Sequence, residues 1–470
     1  MVLTWLFYWI WAVRSYMTGD NLGGNLDGWP GSVWLEGRTI IHMQNGQPRP
    51  SHMPRGPAKK TGPGFLNPAM APARTRSVLL LADVLENDWL IKDGKSIRVF
   101  DALCSTGVRI RRWRNEIPGE LQNRIRITAN DLDDFALNWA KVSHQTHPPS
   151  VSIDHSIESD RYGKKPEGVF ENGIFFQQLD ARVALSEASY QWIDVDPFGS
   201  PVSFLDSAIQ SLARTGVLEV TATDTAALTG SSLSSQQRRY GAKGIVDLYA
   251  HDDAVRTLMG LIATTAARHD KSMIPILALF DGHHVRVSVK LSTSKEKASQ
   301  VNTNMGWRIR CDDVPYRFKQ HPNEDQLERA SGPMWIGPLW NHQITERMTE
   351  QRAMEICHPS KEDILKAKSV GLDWDDTDLE YATRELCRSV RHISKAADLM
   401  SREHLLLNLD SLPKWSGTPG APKMEVLIQC LIDKGHCAAR APDSEPVFVT
   451  DATFQDVVKA VQELNKKSTK

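Results

Sequence analysis

Three short β-rich runs, each closing on an acid, constrain the fold of this chain more than any other feature. Ile97-Arg-Val-Phe-Asp101 leads into small residues, Gly107 and a helix-like segment. About thirty residues further on, Ile125-Arg-Ile-Thr-Ala-Asn-Asp131 is a second such run. Gln177-Gln-Leu-Asp180-Ala181 closes a third. Strand, small-residue turn, helix, strand, acid is the logic of nucleotide sites in doubly wound α/β sheets. The first turn lets a cofactor approach backbone, and the acid after the second strand binds ribose hydroxyls.

No G-x-G-x-x-G follows the first strand, and a nicotinamide site would want one. The looser loop, opening on Asp101, suits S-adenosylmethionine, which has a methionyl group and no pyrophosphate to cradle. On this reading Asp131 binds the ribose hydroxyls. Asp180 and the backbone at Ala181 meet the adenine edge.

A fourth run, Trp192-Ile-Asp-Val195, leads into Asp196-Pro-Phe-Gly-Ser-Pro201. Each residue type there has a task if the target is a planar base with an exocyclic amine. Asp196 accepts an N–H. The Asp196–Pro197 peptide offers a carbonyl whose proline has no N–H to donate. Phe198 offers a stacking face, and Gly199 lets backbone come close. Amino methyltransferases of nucleic acids carry a signature of this kind after their fourth strand. A plain strand and tight turn would use the same residues.

The 470 residues suggest two or three domains, and 41% hydrophobic content supports ordinary cores. Six cysteines show no Cys-x-x-Cys pair, which argues against a disulfide framework or zinc knuckle and for a reducing interior. A net charge of −1 provides no global field for nucleic acid, so RNA must be held by local patches. The apolar run 2–13 is shorter than the ~20 residues of a membrane span. It also lacks the basic start and cleavage site of a secretory signal. Residues 1–17 therefore read as an appendage, with Met17 a candidate start. Residues 42–64, rich in Pro and Gly, read as a mobile loop. His251, His283 and His284 have no third ligand at useful spacing, and no metal is expected.

These residues together resemble the tRNA guanine-26 N2-dimethyltransferases in their archaeal form. The resemblance runs from about Trp34 to the C-terminus. It includes Phe65-Leu-Asn-Pro-Ala-Met70, Asp101 to Arg109, Ala129-Asn-Asp131, Leu179-Asp-Ala181 and Asp196 to Pro201. It is densest at Thr221-Ala-Thr-Asp-Thr-Ala-Ala-Leu-Thr-Gly230 and Tyr240-Gly-Ala-Lys243. The resemblance implies an α/β fold: a class I (Rossmann-like) S-adenosylmethionine-dependent methyltransferase domain and a C-terminal mixed α/β domain. It adds Arg74 and Arg109 to Asp101, Asp131, Asp180 and Ala181 as cofactor residues. It also sets Phe65 beside Phe198 around a flipped base, although Phe65 could simply pack near Pro68. Departures are Ala69 where the family has an arginine, Thr75 where it has an acid, and a single cysteine, Cys311, in segment 311–340.

The implied activity is dimethylation of guanine N2 at position 26 of tRNA, in the cytoplasm, with no membrane association and no protein partner required. Asp196, Phe198 and Phe65 are the candidate catalytic residues. A catalytically weakened RNA-binding relative, or an amino methyltransferase acting on another RNA, are the alternatives. Retention of all four acids, Asp101, Asp131, Asp180 and Asp196, favours the enzyme. Arg238, Arg239 and Lys243 are the candidate RNA-binding residues. Arg109, Arg111, Arg112, Arg114, Arg124 and Arg126 read either as a phosphate-facing stripe or as a solvated helix face. Residues 1–33 are expected to lie outside the fold, 34–280 to form the methyltransferase domain and 281–470 the family-specific, RNA-binding domain. Residues 272–290 read as two strands, 343–370 and 376–409 as helical, and 424–466 as helix, strand, helix.

Overall fold

The computed structural model describes residues 26–43, 49–52, 66–91, 95–153, 167–402, 405–443 and 445–468. The chain divides into two compact units, each discontinuous in sequence. Unit one is residues 1–195, 211–213 and 350–389, and unit two is 196–210, 214–349 and 390–470.

Unit one opens with an antiparallel hairpin, β1 (Ser32–Glu36) and β2 (Thr39–Met43). Helix α1 (Ala71–Asn87) follows, then β3 (Ile97–Asp101), α2 (Val108–Glu116), β4 (Ile125–Asn130) and α3 (Asp134–Thr146). Next come β5 (Val169–Glu171), β6 (Ile174–Gln177), α4 (Ala181–Glu187) and β7 (Tyr190–Val195). The strand order in this unit is β5-β6-β4-β3-β7. β6, β4, β3 and β7 run parallel, and β5 pairs antiparallel with β6. Trp113, Trp139, Trp192, Phe100 and Phe176 are buried in its core. Strands largely buried along their length suit a sheet covered on both faces.

Three later helices, Glu350–Cys357, Lys361–Ser369 and Asp376–Arg388, belong to the same unit. Leu372 and Trp374 join the hairpin's apolar face, with Trp374 edge-on to Trp34 at 4.9 Å between ring centroids.

Unit two contains α5 (Val202–Ser211, its last residue in unit one), β8 (Leu212–Ala222), α6 (Leu233–Tyr240) and α7 (Ala250–Arg268). β9 (Lys271–Asp281) and β10 (His284–Thr293) form a hairpin, and β10 also pairs antiparallel with β8. A small sheet of β11 (Met305–Arg310), β12 (Tyr316–Lys319) and β13 (Ala330–Trp335) follows. The chain ends in a module of β14 (Leu405–Asn408), α8 (Met424–Asp433), β15 (Ala438–Arg440), β16 (Val447–Thr450) and α9 (Phe454–Ser468). Leu407, Leu427, Phe448 and Val457 form its core.

Several expectations need correction. A single cut at 280/281 does not describe the units, because β10 pairs with β8 and residues 350–389 return to unit one. Residues 26–33 pack into the fold: Leu26 and Val33 are buried, and Trp29 packs on His42 and Trp139. Residues 1–25 lie outside the described residues. His42 and Met43 are buried strand residues, not loop. Residues 405–408, expected to be helical, form β14.

The largest correction concerns the arginines. Arg109, Arg111, Arg112 and Arg114 on α2 are all buried, so they form neither a phosphate stripe nor a solvated face. Arg111 donates to the Ile40 carbonyl at 2.6 Å and Arg114 to the Gln122 carbonyl at 3.1 Å. Arg112 grips Glu116 through two bonds of 2.7 Å and also donates to Glu36 at 3.2 Å. Arg74 holds Glu36 through two bonds of 2.6 Å. Burial opposes the charge on Arg112, but the Glu116 and Glu36 carboxylates outweigh it and raise its pKa. Burial likewise opposes the charge on Glu36, and Arg74 and Arg112 outweigh it and lower its pKa. The contribution of Glu36 is therefore present above the unfolded carboxylate pKa and is lost as pH falls through the folded value.

Arg112→Met should strand Glu116 without its cation in the interior. It should lower unfolding free energy by about 3–5 kcal/mol, the usual cost of breaking a buried pair from one side, as read from a urea midpoint. A midpoint equal to wild type would mean that the pair is dispensable.

Candidate active site at the strand ends

Because β3, β4, β6 and β7 run parallel, their acids emerge at C-terminal strand ends, where open α/β sheets bind ligands. The loops there are tied together through backbone. Ala102 N–H donates to the Asp194 carbonyl at 3.0 Å, and Cys104 N–H to the Asn130 carbonyl at 2.8 Å. Asn130 is fully buried, and its Nδ2 donates to the carbonyls of both Ala102 and Leu179 at 3.0 Å. One amide thus joins the loops after β3 and β6.

Asp131 accepts from the Ser105 N–H at 2.7 Å and from the Asp133 N–H at 2.9 Å. Ser105 has φ +47° and Gly107 φ +75°. A Cβ at Gly107 would lie 2.8 Å from that of Ala140, so glycine serves both the turn and the close helix contact. Asp101 is buried. Asp180 caps α4, accepting from the Arg182 N–H at 2.9 Å and pairing with its guanidinium at 2.6 Å. Those bonds pull its pKa to about 2. Ala181 is the buried first residue of α4. The exposed Leu132 follows Asp131 directly. Burial, then Asp131 and Asp101, push the Cys104 thiol well up, which leaves it protonated and unsuited to nucleophilic work.

The two arginines assigned to the cofactor each hold a buried carboxylate. Arg74 holds Glu36 and donates to the Asn67 carbonyl at 3.0 Å. Arg109 pairs with the buried Asp194. Thr75 accepts from Arg112 at 3.0 Å. Phe65 lies outside the described residues.

In unit two, the Asp196-Pro-Phe-Gly turn is pinned on one side and open on the other. Gly199 has φ +84°. Its N–H donates to Thr223 Oγ1 at 2.7 Å, and its carbonyl accepts from the Thr223 N–H at 2.9 Å. Ser200 Oγ lies 3.1 Å from the Tyr240 hydroxyl, which donates to Asp224 at 2.6 Å. Phe198 itself is 61% exposed. An exposed aromatic ring on a pinned turn presents a face for base stacking. Among the RNA candidates, Arg238 and Arg239 are exposed on α6. Arg239 pairs with Asp224 at 3.0 Å. Lys243 is tied down, with its backbone bridging Gly332 and its ammonium 3.4 Å from the Leu327 carbonyl.

The family model for N2,N2-dimethylguanosine tRNA methyltransferase matches residues 51–405, which include the strand-end acids and the turn. The chain belongs to this family. A tRNA (guanine(26)-N(2))-dimethyltransferase of Thermococcus kodakarensis is 30% identical over 410 residues, 85% of this chain and 93% of that protein. One of Pyrococcus horikoshii is 27% identical over 428 residues, 90% of this chain and 99% of its own. The structure of Trm1 from Pyrococcus horikoshii in complex with S-adenosyl-L-methionine covers 91% of this chain and 99% of its own, with TM-score 0.61 and 24% identity. The fold is that of a class I α/β methyltransferase with additional C-terminal sheets.

Within this N2,N2-dimethylguanosine methyltransferase chain, sequence reasoning missed four residues. Asn130 precedes Asp131 and looks like an ordinary strand residue. Thr223, Asp224 and Tyr240 stood in the most family-specific runs, yet nothing local assigned them a contact. Asn130→Leu should leave the Ala102 and Leu179 carbonyls without their donor. It should cost about 1–3 kcal/mol of stability and weaken cofactor binding in calorimetry. Unchanged affinity would mean that the loops hold their shape without the amide.

Proposed function

We propose that this chain dimethylates N2 of guanine 26 in tRNA, acting in the cytoplasm and without a protein partner. Asp196 and Phe198 handle the base. The observation that carries these roles is the pinned turn with its exposed phenyl ring. Family membership supports the reaction class.

S-adenosylmethionine, when bound, supplies an electrophilic sulfonium methyl. The residues of unit one suit its nucleoside. The Asp131 carboxylate is an acceptor for ribose hydroxyls, and the exposed Leu132 offers an apolar surface to adenine. A guanine amine is a poor nucleophile because its lone pair is delocalised into the ring. An N–H bond to Asp196 localises that pair and orients the amine. As the amine is alkylated it becomes more acidic, and Asp196 takes the proton. A monomethylated amine retains one N–H, so the same acceptor serves the second round. Phe198 stacks on a base that has left its helix. Arg238 and Arg239 contact phosphate.

Incubation of the chain with labelled cofactor and unmodified tRNA transcript, followed by nucleoside analysis, tests the reaction. N2,N2-dimethylguanosine at position 26 is expected, and label in another nucleoside would overturn the assignment. Asp196→Asn keeps the shape but adds a donor. It should slow transfer on the order of a hundredfold with cofactor and tRNA affinity retained. Phe198→Ala should instead weaken base capture by ~1–3 kcal/mol. Near-normal turnover in Asp196→Asn would refute the proton role. Asp131→Ala should weaken cofactor binding at least ~10-fold, about the loss of 1.4 kcal/mol, with tRNA binding intact. Equal cofactor affinity in calorimetry would remove Asp131 from the site.

A further inference from the structure

We propose that Asp224 is a positioning residue that couples the RNA-facing Arg239 to the turn carrying Asp196 and Phe198. The inference rests on the methylation reading and deepens it. Its basis is one carboxylate with two tasks. Oδ1 of Asp224 receives the Tyr240 hydroxyl at 2.6 Å, and Oδ2 receives the Arg239 guanidinium at 3.0 Å. The Asp224 side chain is 10% exposed, whereas that of Arg239 is 46% exposed. The carboxylate therefore lies beneath the surface with a half-exposed cation on one oxygen.

The other oxygen leads to the turn. Tyr240 is buried, and it spends its single hydroxyl hydrogen on Asp224. Ser200 Oγ, 3.1 Å away, is then the donor to the Tyr240 oxygen. Ser200 lies two residues after Phe198. The residue between them, Gly199, is held on both its N–H and its carbonyl by Thr223, the neighbour of Asp224. The turn is thus fastened at adjacent residues by Thr223 directly and by Asp224 through Tyr240.

Tyr240 works here as a donor, not a base. Burial, and then the hydrogen bond to Asp224, push its phenol pKa up, so it stays protonated across the physiological range. Arg239 and Tyr240 are consecutive on the last turn of α6, which ends at Gly241 with φ +64°. Consecutive helical side chains diverge by about 100°, yet both reach one carboxylate. A phosphate that engages the exposed face of Arg239 acts on the guanidinium that orients Asp224. Backbone binding therefore bears on the placement of Phe198 and Asp196.

The test uses the full chain with unmodified tRNA transcript under single-turnover conditions. Tyr240→Phe and Asp224→Asn should each slow methyl transfer about ten- to a hundredfold, the scale of a misplaced reacting group. Cofactor affinity and tRNA affinity should stay at wild-type values. The double variant should be no slower than the slower single one, because both remove the same link. The pH–rate profile should keep its shape, since the proton acceptor Asp196 is retained. Tyr240→Phe at the wild-type rate would overturn the proposal. So would multiplicative losses in the double variant, or a rate loss matched by an equal loss of tRNA affinity. If Asp224→Asn fails to fold, Tyr240→Phe, which deletes one oxygen, still decides the outcome. Absence of methylated guanine with the wild-type chain would count against the reaction itself. A fully active Tyr240→Phe counts against Asp224 alone.

Discussion

The buried charge cluster of Glu36, Arg74, Arg112 and Glu116 is the constraint on which unit one depends. It joins β1, α1 and α2 with near-complete exclusion of water. Ions removed from water are costly, and each must find its partner in good geometry. The cluster therefore permits one relative placement of hairpin and helices. Around it the interior continues with Arg109 on Asp194 and Arg111 on the Ile40 carbonyl. The strand ends that carry Asp101 and Asp131 belong to the same unit, so the candidate cofactor site rests on a core with charged as well as apolar joints.

That core explains which parts of the fold were legible in the sequence. Strands β3, β4, β6 and β7 announced themselves as short, mostly apolar runs that each lead into an acid at or soon after the strand end. The Asp-Pro-Phe-Gly turn was legible because proline and glycine punctuate chain direction whatever surrounds them. The α2 arginines were not. Four cations within six residues look solvated unless Glu36 and Glu116 are known to lie against them. Residues 350–389 read correctly as largely helical, but no local pattern showed that they return to the first unit. Asn130 and Tyr240 were silent because their roles consist of hydrogen bonds to residues far along the chain.

The turn itself illustrates how rigidity and exposure can be combined. Gly199 is fixed through backbone and Ser200 through a hydroxyl chain, while the neighbouring Phe198 ring is exposed. The pinned backbone lowers the ordering entropy that capture of a planar partner would otherwise cost.

The return of residues 350–389 to unit one also bears on how the chain is made. The face of the β1–β2 hairpin that carries Trp34 and Ile41 is covered in part by Leu372 and Trp374. Trp34 leaves the ribosome 340 residues before Trp374. At about 5–20 residues per second, that interval is roughly 20 to 70 s. Throughout it, the nascent chain carries an unfinished hydrophobic surface on the hairpin. Strands β8 to β13 of the second unit are synthesised inside the same interval. A fragment ending before residue 372 would keep that surface permanently, which makes truncation a route to aggregation or chaperone capture for this protein.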